Sequence, residues 1–287
     1  MTAVAQEQHG DVRPVPFVGS CFPEEQFAAL RDLLVARRGF DLSQYKDRGV
    51  KRRVAKRVRA RGFHQAGPYL ELLGKDEAEL DALLGALTVH VSHFFRNPST
   101  FAALETRVLP ELFDRSRRLG QAALRLWSVG CSSGEEPYSL ALLLEGLSRP
   151  EADVSILATD VSAAILERAR EGVFDSGRLG EVPPALKERY FVPRGSSYRL
   201  AEEIRAKVAF RSHDLLSSEA YPGAELVLCR NVLIYFSREA QERILCRLGD
   251  ALPSGGYLVL GKAETLLGEA RQRFLVESPA ERIYRRC

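Results

Sequence analysis

Short apolar runs alternate with helical segments from Ala123 onward, and this alternation constrains the fold more than any other feature of the sequence. The runs LRLWSV, ILATD, VAF, ELVLC and YLVLG have the length of buried strands, and apolar helical periodicity follows several of them. Strands that alternate with helices pair in parallel through right-handed crossovers. The pattern therefore predicts an α/β fold with a doubly wound, Rossmann-like sheet.

Two features modify this predicted sheet. The last two runs, FLVES and ERIYRR, are separated only by a short Ser-Pro-Ala turn, which predicts an antiparallel hairpin at the end of the sheet. Over about residues 172–207 the alternation is broken by prolines, glycines and short β-rich pieces that fit no single crossover helix. We expect a small inserted β subdomain there.

The first part of the chain has a different pattern. Apolar residues recur at spacings of three and four, as in Phe27, Leu30 and Leu34, and no strand pattern is found before about residue 118. A chain of 287 residues is long enough for two domains. The sequence predicts three regions: a flexible tail over residues 1–20, an all-α domain over residues 21–118 and the α/β domain over residues 119–287.

Composition limits the class of protein. With 45% hydrophobic and 28% charged residues, the chain can bury a substantial core. No apolar run approaches the roughly 20 residues of a membrane-spanning helix, and the first residues do not resemble a signal peptide. The five cysteines form no C-x-x-C pair, so neither a disulfide framework nor a metal site is predicted. We expect a cytoplasmic protein that contains no metal.

A glycine loop follows the first predicted strand. It runs from Gly130 to Gly134, and Glu135, Glu136 and Pro137 open the next helix. Glycines let the backbone approach a ligand closely, and ligands of open α/β sheets bind beyond the carboxyl ends of the strands. The pattern is G-x-x-x-G and not the dinucleotide pattern G-x-G-x-x-G. A strand-to-helix turn without a ligand is also compatible with the loop alone.

Asp160 ends the second predicted strand, where an acid can accept hydrogen bonds from both ribose hydroxyls of a nucleoside cofactor. Capping of the helix that follows is an alternative role for Asp160, and the two roles are compatible. Glu135 and Glu136 would repel a pyrophosphate but tolerate a sulfonium and an ammonium group. These residues favour S-adenosylmethionine over a dinucleotide.

The segment after the run ELVLC indicates which group is methylated. Many nitrogen methyltransferases have an Asn/Asp-Pro-Pro-aromatic tetrad here, whereas this chain has RNVLIY. Arginine and the tyrosine hydroxyl are donors that suit an anionic acceptor, and a glutamate, with a pKa near about 4.3, needs no general base. We predict direct transfer to a carboxylate that Arg96 and Tyr235 orient. A structural aromatic beside Ile234 and Phe236 is the alternative for Tyr235.

Several strings, in a fixed order, carry a family resemblance. They are FDLSQYK, SHFFRN, WSVGCSSGEEPYSLALLL, ATDVS, LCRNVLIYF and PSGGYLVLGKAETL. Over about Phe22 to Arg286 the chain resembles the chemotaxis-receptor glutamate methyltransferases, the CheR family. The resemblance implies a helical domain followed by a methyltransferase domain with an inserted β subdomain. It also implies methylation of receptor glutamates to methyl esters in chemosensory adaptation, with S-adenosyl-L-homocysteine as the product.

The resemblance implies a set of cofactor contacts as well. By position they are His90, Ser92, Arg96, Glu135, Asp160, Asp214, Leu215, Arg230 and Asn231. Three of these depart from the family, which commonly has Asn, Thr and Asn where this chain has His90, Ser92 and Asp214. Serine keeps a hydroxyl and aspartate keeps an acceptor, so His90 departs most from the family pattern.

A strongly basic segment lies in the predicted helical domain. Residues 46–61 contain nine Lys or Arg and one Asp, a net charge of +8, and since the whole chain carries +3 the remainder carries 3 minus 8, or −5. Val50, Val54 and Val58 would share one buried face of a helix. A solvated face and a nucleic-acid surface are alternatives, but charge this local favours an acidic protein partner. By resemblance, the helical cytoplasmic domain of a chemoreceptor would dock on Arg53, Lys56, Arg57 and Arg59.

Two other functions are compatible with the sequence. One is an RNA or small-molecule methyltransferase on the same fold, and the other is a non-catalytic adaptor that binds S-adenosylmethionine. We expect a monomer that neither binds nucleic acid nor inserts into a membrane. Some family members bind a carboxyl-terminal receptor pentapeptide on the β subdomain, but the segment from Tyr190 to Phe210 is short for that, so we expect docking without this tether.

Overall fold

The computed structural model describes residues 22–88, 92–120, 123–147 and 153–287. The chain divides into two compact units, the first ending at Thr88 and the second beginning at Val89. Each unit has a hydrophobic core of its own. The predicted tail over residues 1–20 and the predicted cofactor contact His90 lie outside the described residues.

The first unit is all helical, as predicted. Its helices are α1 (Glu24–Arg38), α2 (Asp47–Ala60), α3 (Ala66–Leu73) and α4 (Glu77–Leu87), with a short 3-10 helix at Leu42–Gln44. The apolar positions at helical spacing, among them Leu30, Leu34 and Val54, are fully buried in one core. Gly39 ends α1 in the left-handed conformation, with φ of 64°, and its N–H bonds back to the last turn of the helix.

The second unit begins earlier than the sequence pattern suggested. A nearly continuous helical stretch precedes the sheet: α5 (Pro98–Ala103), a π-helical segment (Leu104–Val108) and α6 (Leu109–Leu119). Its apolar residues Leu104, Leu109 and Leu112 belong to the same core as Leu124 and Leu126 of the first strand. The chain therefore divides between residues 88 and 89 and not at residue 118, because these helices bury their apolar faces with the sheet. Helical spacing in the sequence gives no information on which core a helix joins.

A seven-stranded sheet forms the centre of the second unit, in the order β6-β2-β1-β7-β8-β10-β9. The strands are β1 (Ala123–Val129), β2 (Asp153–Asp160), β6 (Val208–Ser212), β7 (Leu226–Cys229), β8 (Tyr257–Leu260), β9 (Phe274–Ser278) and β10 (Ile283–Arg286). Strands β6, β2, β1, β7 and β8 are parallel, whereas β10 is antiparallel to both β8 and β9. The predicted Rossmann-like sheet with a terminal antiparallel hairpin is confirmed.

Three helices connect the parallel strands: α7 (Glu135–Gly146), α8 (Ala163–Glu171) and α11 (Arg238–Ala251). Ser237 begins α11 as a side-chain cap, since its Oγ accepts a hydrogen bond from the N–H of Ala240. Trp127 on β1 is fully buried, and its Nε1 donates to Thr159 Oγ1 on β2 at 3.0 Å. Its ring packs edge-on against His213 and Tyr221.

The segment that interrupts the alternation of strands and helices forms a separate small antiparallel sheet of three strands, in the order β3-β5-β4. Its elements are β3 (Val173–Asp175), a 3-10 helix (Ser176–Leu179), α9 (Pro184–Tyr190), β4 (Phe191–Arg194), β5 (Ser197–Leu200) and α10 (Glu202–Arg205). The predicted inserted β subdomain is confirmed, and it contains short helices as well. Its Phe174 and Phe191 pack edge-on against Phe94, which precedes α5.

Candidate functional site

The glycine loop between β1 and α7 is shaped by two close contacts. Gly130 has φ of 63°, and a Cβ there would lie 2.5 Å from Cγ2 of Val232. Gly134 has φ of 95°, and a Cβ there would lie 2.9 Å from Cε2 of Tyr138. Both the backbone conformation and the lack of space therefore require glycine at the two positions.

Asp160, at the end of β2, holds this loop by a hydrogen bond. It is 6% exposed, its Oδ2 accepts from the N–H of Ser132 at 3.0 Å, and its Oδ1 accepts from the N–H of Ser162 at 3.0 Å. Ser162 is the N-cap of α8, and no side chain of the described residues caps this helix. Asp160 therefore holds the loop and the chain just before α8, but it does not cap the helix. Each carboxylate oxygen has two lone pairs, so acceptor capacity remains for a ligand hydroxyl.

A cleft, partly open to solvent, lies at the carboxyl ends of β1 and β7. Five of the residues predicted from the sequence line it: Ser92, Arg96, Arg230, Asn231 and Tyr235. The other lining residues are His93, Phe101, Gly130, Cys131, Ser132 and Glu136. The structure thus joins three segments distant in sequence, the SHFFRN string, the glycine loop and the turn after β7, around one concavity.

Four predicted cofactor residues lie outside the lining of this cleft. Glu135 is fully buried, and Asp160 accepts a hydrogen bond from the N–H of Ser132 in the glycine loop. Asp214 and Leu215 follow β6, where Asp214 Oδ1 accepts from the N–H of Leu216 at 2.8 Å. The carbonyl of Leu215 accepts from the Tyr221 hydroxyl at 2.7 Å, so this loop has a stable conformation of its own.

Both carboxylates of the first turn of α7 have arginine partners. Glu135 accepts from the Ser133 hydroxyl at 2.8 Å and from the Arg178 guanidinium. Glu136, with a side chain 13% exposed, accepts from the Ser128 hydroxyl at 2.8 Å and from Arg230 at 3.2 Å. The argument that these two charges select a cationic ligand is weaker than the sequence suggested, because each charge is matched within the protein.

Burial still dominates the titration of Glu136. Loss of solvation raises the pKa of Glu136 above its ordinary value, although Arg230 and the Ser128 hydroxyl favour the charged form. At the other side of the cleft, burial first and the nearby Arg96 second lower the pKa of His93. His93 is therefore more readily neutral than an exposed histidine, and the cleft keeps its positive charge on Arg96 and Arg230.

Arg230 connects the turn after β7 to the segment before α5. Its Nη2 donates to the carbonyl of Arg96 at 2.6 Å and to Asn97 Oδ1 at 2.8 Å, and its guanidinium lies 5.5 Å from the ring centre of Phe101. Its side chain is 2% exposed. The sequence assigned Arg230 to the cofactor, and the structure shows that it also fixes the position of Arg96.

Sequence reasoning missed some residues of the site. His93 and Ser132 line the cleft, although the sequence argument singled out His90 and the flanking glycines instead. The signal was present, since both residues belong to the quoted strings SHFFRN and GCSSG. Arg178 gave no such signal, because its contact with Glu135 joins residues 43 positions apart.

The chemistry of the cleft fits a zwitterionic nucleoside ligand. Among the described residues, three buried polar atoms without a protein partner belong to cleft residues: Ser132 Oγ, Asn231 Oδ1 and Arg230 Nε. Asn231 Oδ1 can accept from an ammonium group, Arg230 Nε can donate to a carboxylate, and a serine hydroxyl can do either. Buried polar atoms are normally satisfied, so these three atoms fit the aminoacyl part of S-adenosylmethionine.

Other kinds of site find little support in the described ranges. There, no group of three or more His, Cys, Asp and Glu side chains is arranged to hold a metal ion. Cys131, which lines the cleft, is buried, and burial raises its pKa well above the ordinary thiol value. No helix in the part of the chain that the structure describes is long and apolar enough to cross a bilayer.

The sheet order, the glycine loop and the polar cleft at the ends of β1 and β7 define an S-adenosylmethionine-dependent methyltransferase of the Rossmann-like class. Two family models match the chain: "CheR methyltransferase, all-alpha domain" over residues 25–88 and "CheR methyltransferase, SAM binding domain" over residues 90–282. The chain belongs to the CheR methyltransferase family. Its cofactor is S-adenosyl-L-methionine.

Known relatives agree with this assignment. The chain is 39% identical over 232 residues to the "Chemotaxis protein methyltransferase" of Listeria monocytogenes, which covers 81% of this chain and 87% of the relative. It is 36% identical over 249 residues to "Chemotaxis protein methyltransferase 1" of Pseudomonas aeruginosa, covering 84% and 90%. Among solved structures, the glycopeptide N-methyltransferase MtfA complexed with S-adenosyl-L-methionine has a TM-score of 0.32 and 14% identity, covering 60% of this chain and 57% of that chain. A structural similarity this low supports no inference about this chain.

Proposed function

We propose that this protein transfers the methyl group of S-adenosylmethionine to glutamate side chains in the cytoplasmic domains of chemoreceptors, and that it does so in the cytoplasm during chemosensory adaptation. One observation carries the acceptor class: Arg96 and Tyr235, both of them hydrogen-bond donors, line the cleft together. The printed names of the relatives, chemotaxis protein methyltransferases, support the receptor as the partner.

The residues proposed to serve the cofactor include some that line the cleft and some that lie beside it. Ser132, Asn231 and Arg230 offer the unpartnered polar atoms that would hold the aminoacyl part of the cofactor. Glu135 and Asp160 would hold the conformation of the glycine loop. Asp214 and Leu215 would flank the adenine base or the ribose of the cofactor. His90 remains a proposed contact by resemblance alone.

The acceptor carboxylate needs hydrogen-bond donors that orient it, but it needs no general base. When bound, S-adenosylmethionine would supply an electrophilic methyl group to a carboxylate oxygen, with S-adenosyl-L-homocysteine as the leaving group, and an ionised carboxylate has no proton to lose. Arg96 and Tyr235 would hold that carboxylate in line by hydrogen bonds, and most of the rate would come from this positioning. His93 lines the same cleft, and its lowered pKa means that it adds little positive charge there at neutral pH.

The basic helix α2 would provide the docking surface, but not with all the residues predicted for it. Arg57 forms a two-pronged ion pair with Glu79, at 2.8 and 2.6 Å, and Arg53 donates to the carbonyl of Leu87 at 2.8 Å. Lys56 and Arg59 are exposed, and the exposed Arg48 and Arg52 continue the row at helical spacing. We therefore place the acidic partner on the row of Arg48, Arg52, Lys56 and Arg59, while Arg53 and Arg57 brace the helix.

The stability of the methylated product in alkali identifies the acceptor group. The purified protein is incubated with S-adenosylmethionine carrying a radiolabelled methyl group and with a receptor cytoplasmic fragment, and the labelled fragment is then treated with mild alkali. A glutamate methyl ester releases the label as methanol. Label that survives alkali would indicate an amide or a base as the acceptor, and it would refute the proposed function.

A further inference from the structure

Glu264 is a buried carboxylate that the mechanism above does not use. It follows β8 and is 5% exposed. Its Oε2 accepts from the N–H groups of Gly261 at 2.6 Å and Asn231 at 2.9 Å, and its Oε1 accepts from the N–H of Ile234 at 3.2 Å. A carboxylate this deep is retained at a cost in solvation, so its bonds to the backbone need an explanation.

The bonds go to the turn that carries the cleft residues. After β7 the chain passes through Asn231 in the left-handed region, with φ of 60°, and then through a 3-10 helix at Leu233–Tyr235. The first N–H groups of such a turn have no partner within it. Glu264 satisfies one N–H at the start of the turn and another inside the 3-10 helix, and thereby holds both ends of the segment between Asn231 and Tyr235.

Gly261, after β8, packs tightly against Asn231 in the turn after β7. A Cβ on Gly261 would lie 2.7 Å from the backbone nitrogen of Asn231 and 2.7 Å from Oε2 of Glu264. The end of β8 and the turn after β7 therefore touch through backbone atoms. A shift of the carboxylate would break its bonds to the N–H groups of Asn231 and Ile234, and Tyr235 directly follows Ile234.

We propose that Glu264 is a positioning residue that aims Asn231 at the cofactor and Tyr235 at the acceptor carboxylate. This inference rests on the roles given to those two residues in the proposed function. Glu264 is not a lining residue of the cleft, and the three bonds described go to backbone N–H groups. It therefore acts through the turn and not on the reacting atoms.

The first test measures cofactor affinity, which needs no acceptor. Binding of S-adenosyl-L-homocysteine is titrated by calorimetry for the wild type, Glu264→Gln, Asn231→Gly and the double variant. Glycine tolerates the left-handed conformation of residue 231, so Asn231→Gly removes only the side chain. We expect each single variant to bind S-adenosyl-L-homocysteine more weakly than the wild type does. The double variant should bind it no more weakly than the single variant of lower affinity, because the effects of residues that act as a unit are non-additive. Fully additive losses would overturn the positioning role.

The second test measures catalysis. Glu264→Gln should lower kcat between about 10-fold and 100-fold with a smaller change in KM, because a displacement of about 1 Å is enough for such a loss. Combining it with Tyr235→Phe should add little to the larger single effect. An unchanged kcat in Glu264→Gln beside a reduced kcat in Tyr235→Phe would overturn the inference and leave the proposed function intact. Wild-type kcat in Tyr235→Phe would instead refute the role of Tyr235 itself.

Two further variants guard against a simple loss of folding. Glu225 is a matched control, since it is also buried, at 3% exposed, and its Oε2 accepts from a backbone N–H of β1 at 2.8 Å. Glu225→Gln should reduce stability without lowering kcat per folded molecule. Gly261→Ala keeps the carboxylate group in the chain, but its Cβ would push Glu264 Oε2 and the backbone of Asn231 away, so it should reproduce the kcat loss of Glu264→Gln. Wild-type kcat in folded Gly261→Ala would contradict the proposal even if Glu264→Gln did not fold.

Discussion

The guanidinium of Arg178, in the inserted β subdomain, donates hydrogen bonds to the carboxylate of Glu135 and, at 2.8 Å, to the hydroxyl of Ser133. The carbonyl of the same residue accepts from the N–H of Phe94 at 3.0 Å. One residue of the subdomain thus contacts both the glycine loop and the segment that carries Ser92 and Arg96. The subdomain therefore supports two of the segments that form the candidate cofactor site.

Replacing Arg178 with alanine should weaken both stability and cofactor binding. Glu135 is fully buried and would lose its charged partner, which costs about 2–3 kcal/mol when a buried group is left unsatisfied. Urea unfolding and calorimetry with S-adenosyl-L-homocysteine measure the two effects. Arg194→Ala, at an exposed position of the same subdomain, is the control and should change neither. Unchanged affinity in Arg178→Ala would mean that the subdomain does not support the cofactor loop.

Ser132 provides a cleaner probe of the cofactor contact. Its hydroxyl is buried without a protein partner, and its φ is 53°, a conformation that glycine adopts without strain. We expect Ser132→Gly to weaken binding of S-adenosyl-L-homocysteine about fivefold, which corresponds to about 1 kcal/mol for one hydrogen bond. The free energy of unfolding of the protein without ligand should stay the same or rise. Equal affinity of the two proteins would exclude the hydroxyl from the cofactor site.

Charge reversal at an exposed position of α2 should show whether this helix docks the receptor. Lys56→Glu is expected to raise KM for the receptor fragment about fivefold without a change in kcat, since an exposed ion pair contributes about 1 kcal/mol. The effect should shrink as salt is added. Lys75→Glu makes the same charge change at an exposed position outside α2. If both variants behave alike, net charge and not the helix governs docking.

Glu79 links the stability of the first unit to pH. Burial by itself raises the pKa of Glu79, but hydrogen bonds from Arg57 and Tyr69 outweigh burial, so the pKa lies below its ordinary value of 4.5. A lowered carboxylate pKa stabilises the fold above the unfolded-state value, and that contribution is lost as the pH falls through the folded-state value. Hydrogen exchange of α2 and α4 amides should show wild type more protected than Glu79→Gln at neutral pH. The difference should shrink as the pH falls below 4.5 towards the lower folded-state pKa of Glu79, and a constant difference would contradict this linkage.

The sheet, its terminal hairpin and the inserted subdomain were predictable because each leaves a local pattern. Runs such as ILATD record burial on both faces, and the short turn before ERIYRR permits only an antiparallel return. The glycine loop and the turn after β7 were predictable as well, because parallel strands bring their carboxyl ends to the same edge of the sheet. The SHFFRN string follows no strand among the described residues and was assigned to the site only by the family resemblance.

Pairings across the fold were not predictable, because they depend on distances that no local pattern encodes. The sequence assigned Arg57 to a partner protein, whereas Glu79, 22 residues away, binds it within the same unit. It treated Glu135 and Glu136 as unpaired charge, whereas Arg178 and Arg230 neutralise them. The division at residue 88 was missed for a similar reason, since helix periodicity does not say which core a helix will join.

The protein contains a single tryptophan, Trp127, and it is fully buried on β1, next to the glycine loop. Its tryptophan fluorescence, excited selectively, therefore has one source, which lies in the second unit. Emission at this site is a label-free optical signal for the unfolding of the α/β unit, while circular dichroism also follows the helices of the first. Comparing the two signals reveals whether the units melt together or in separate steps.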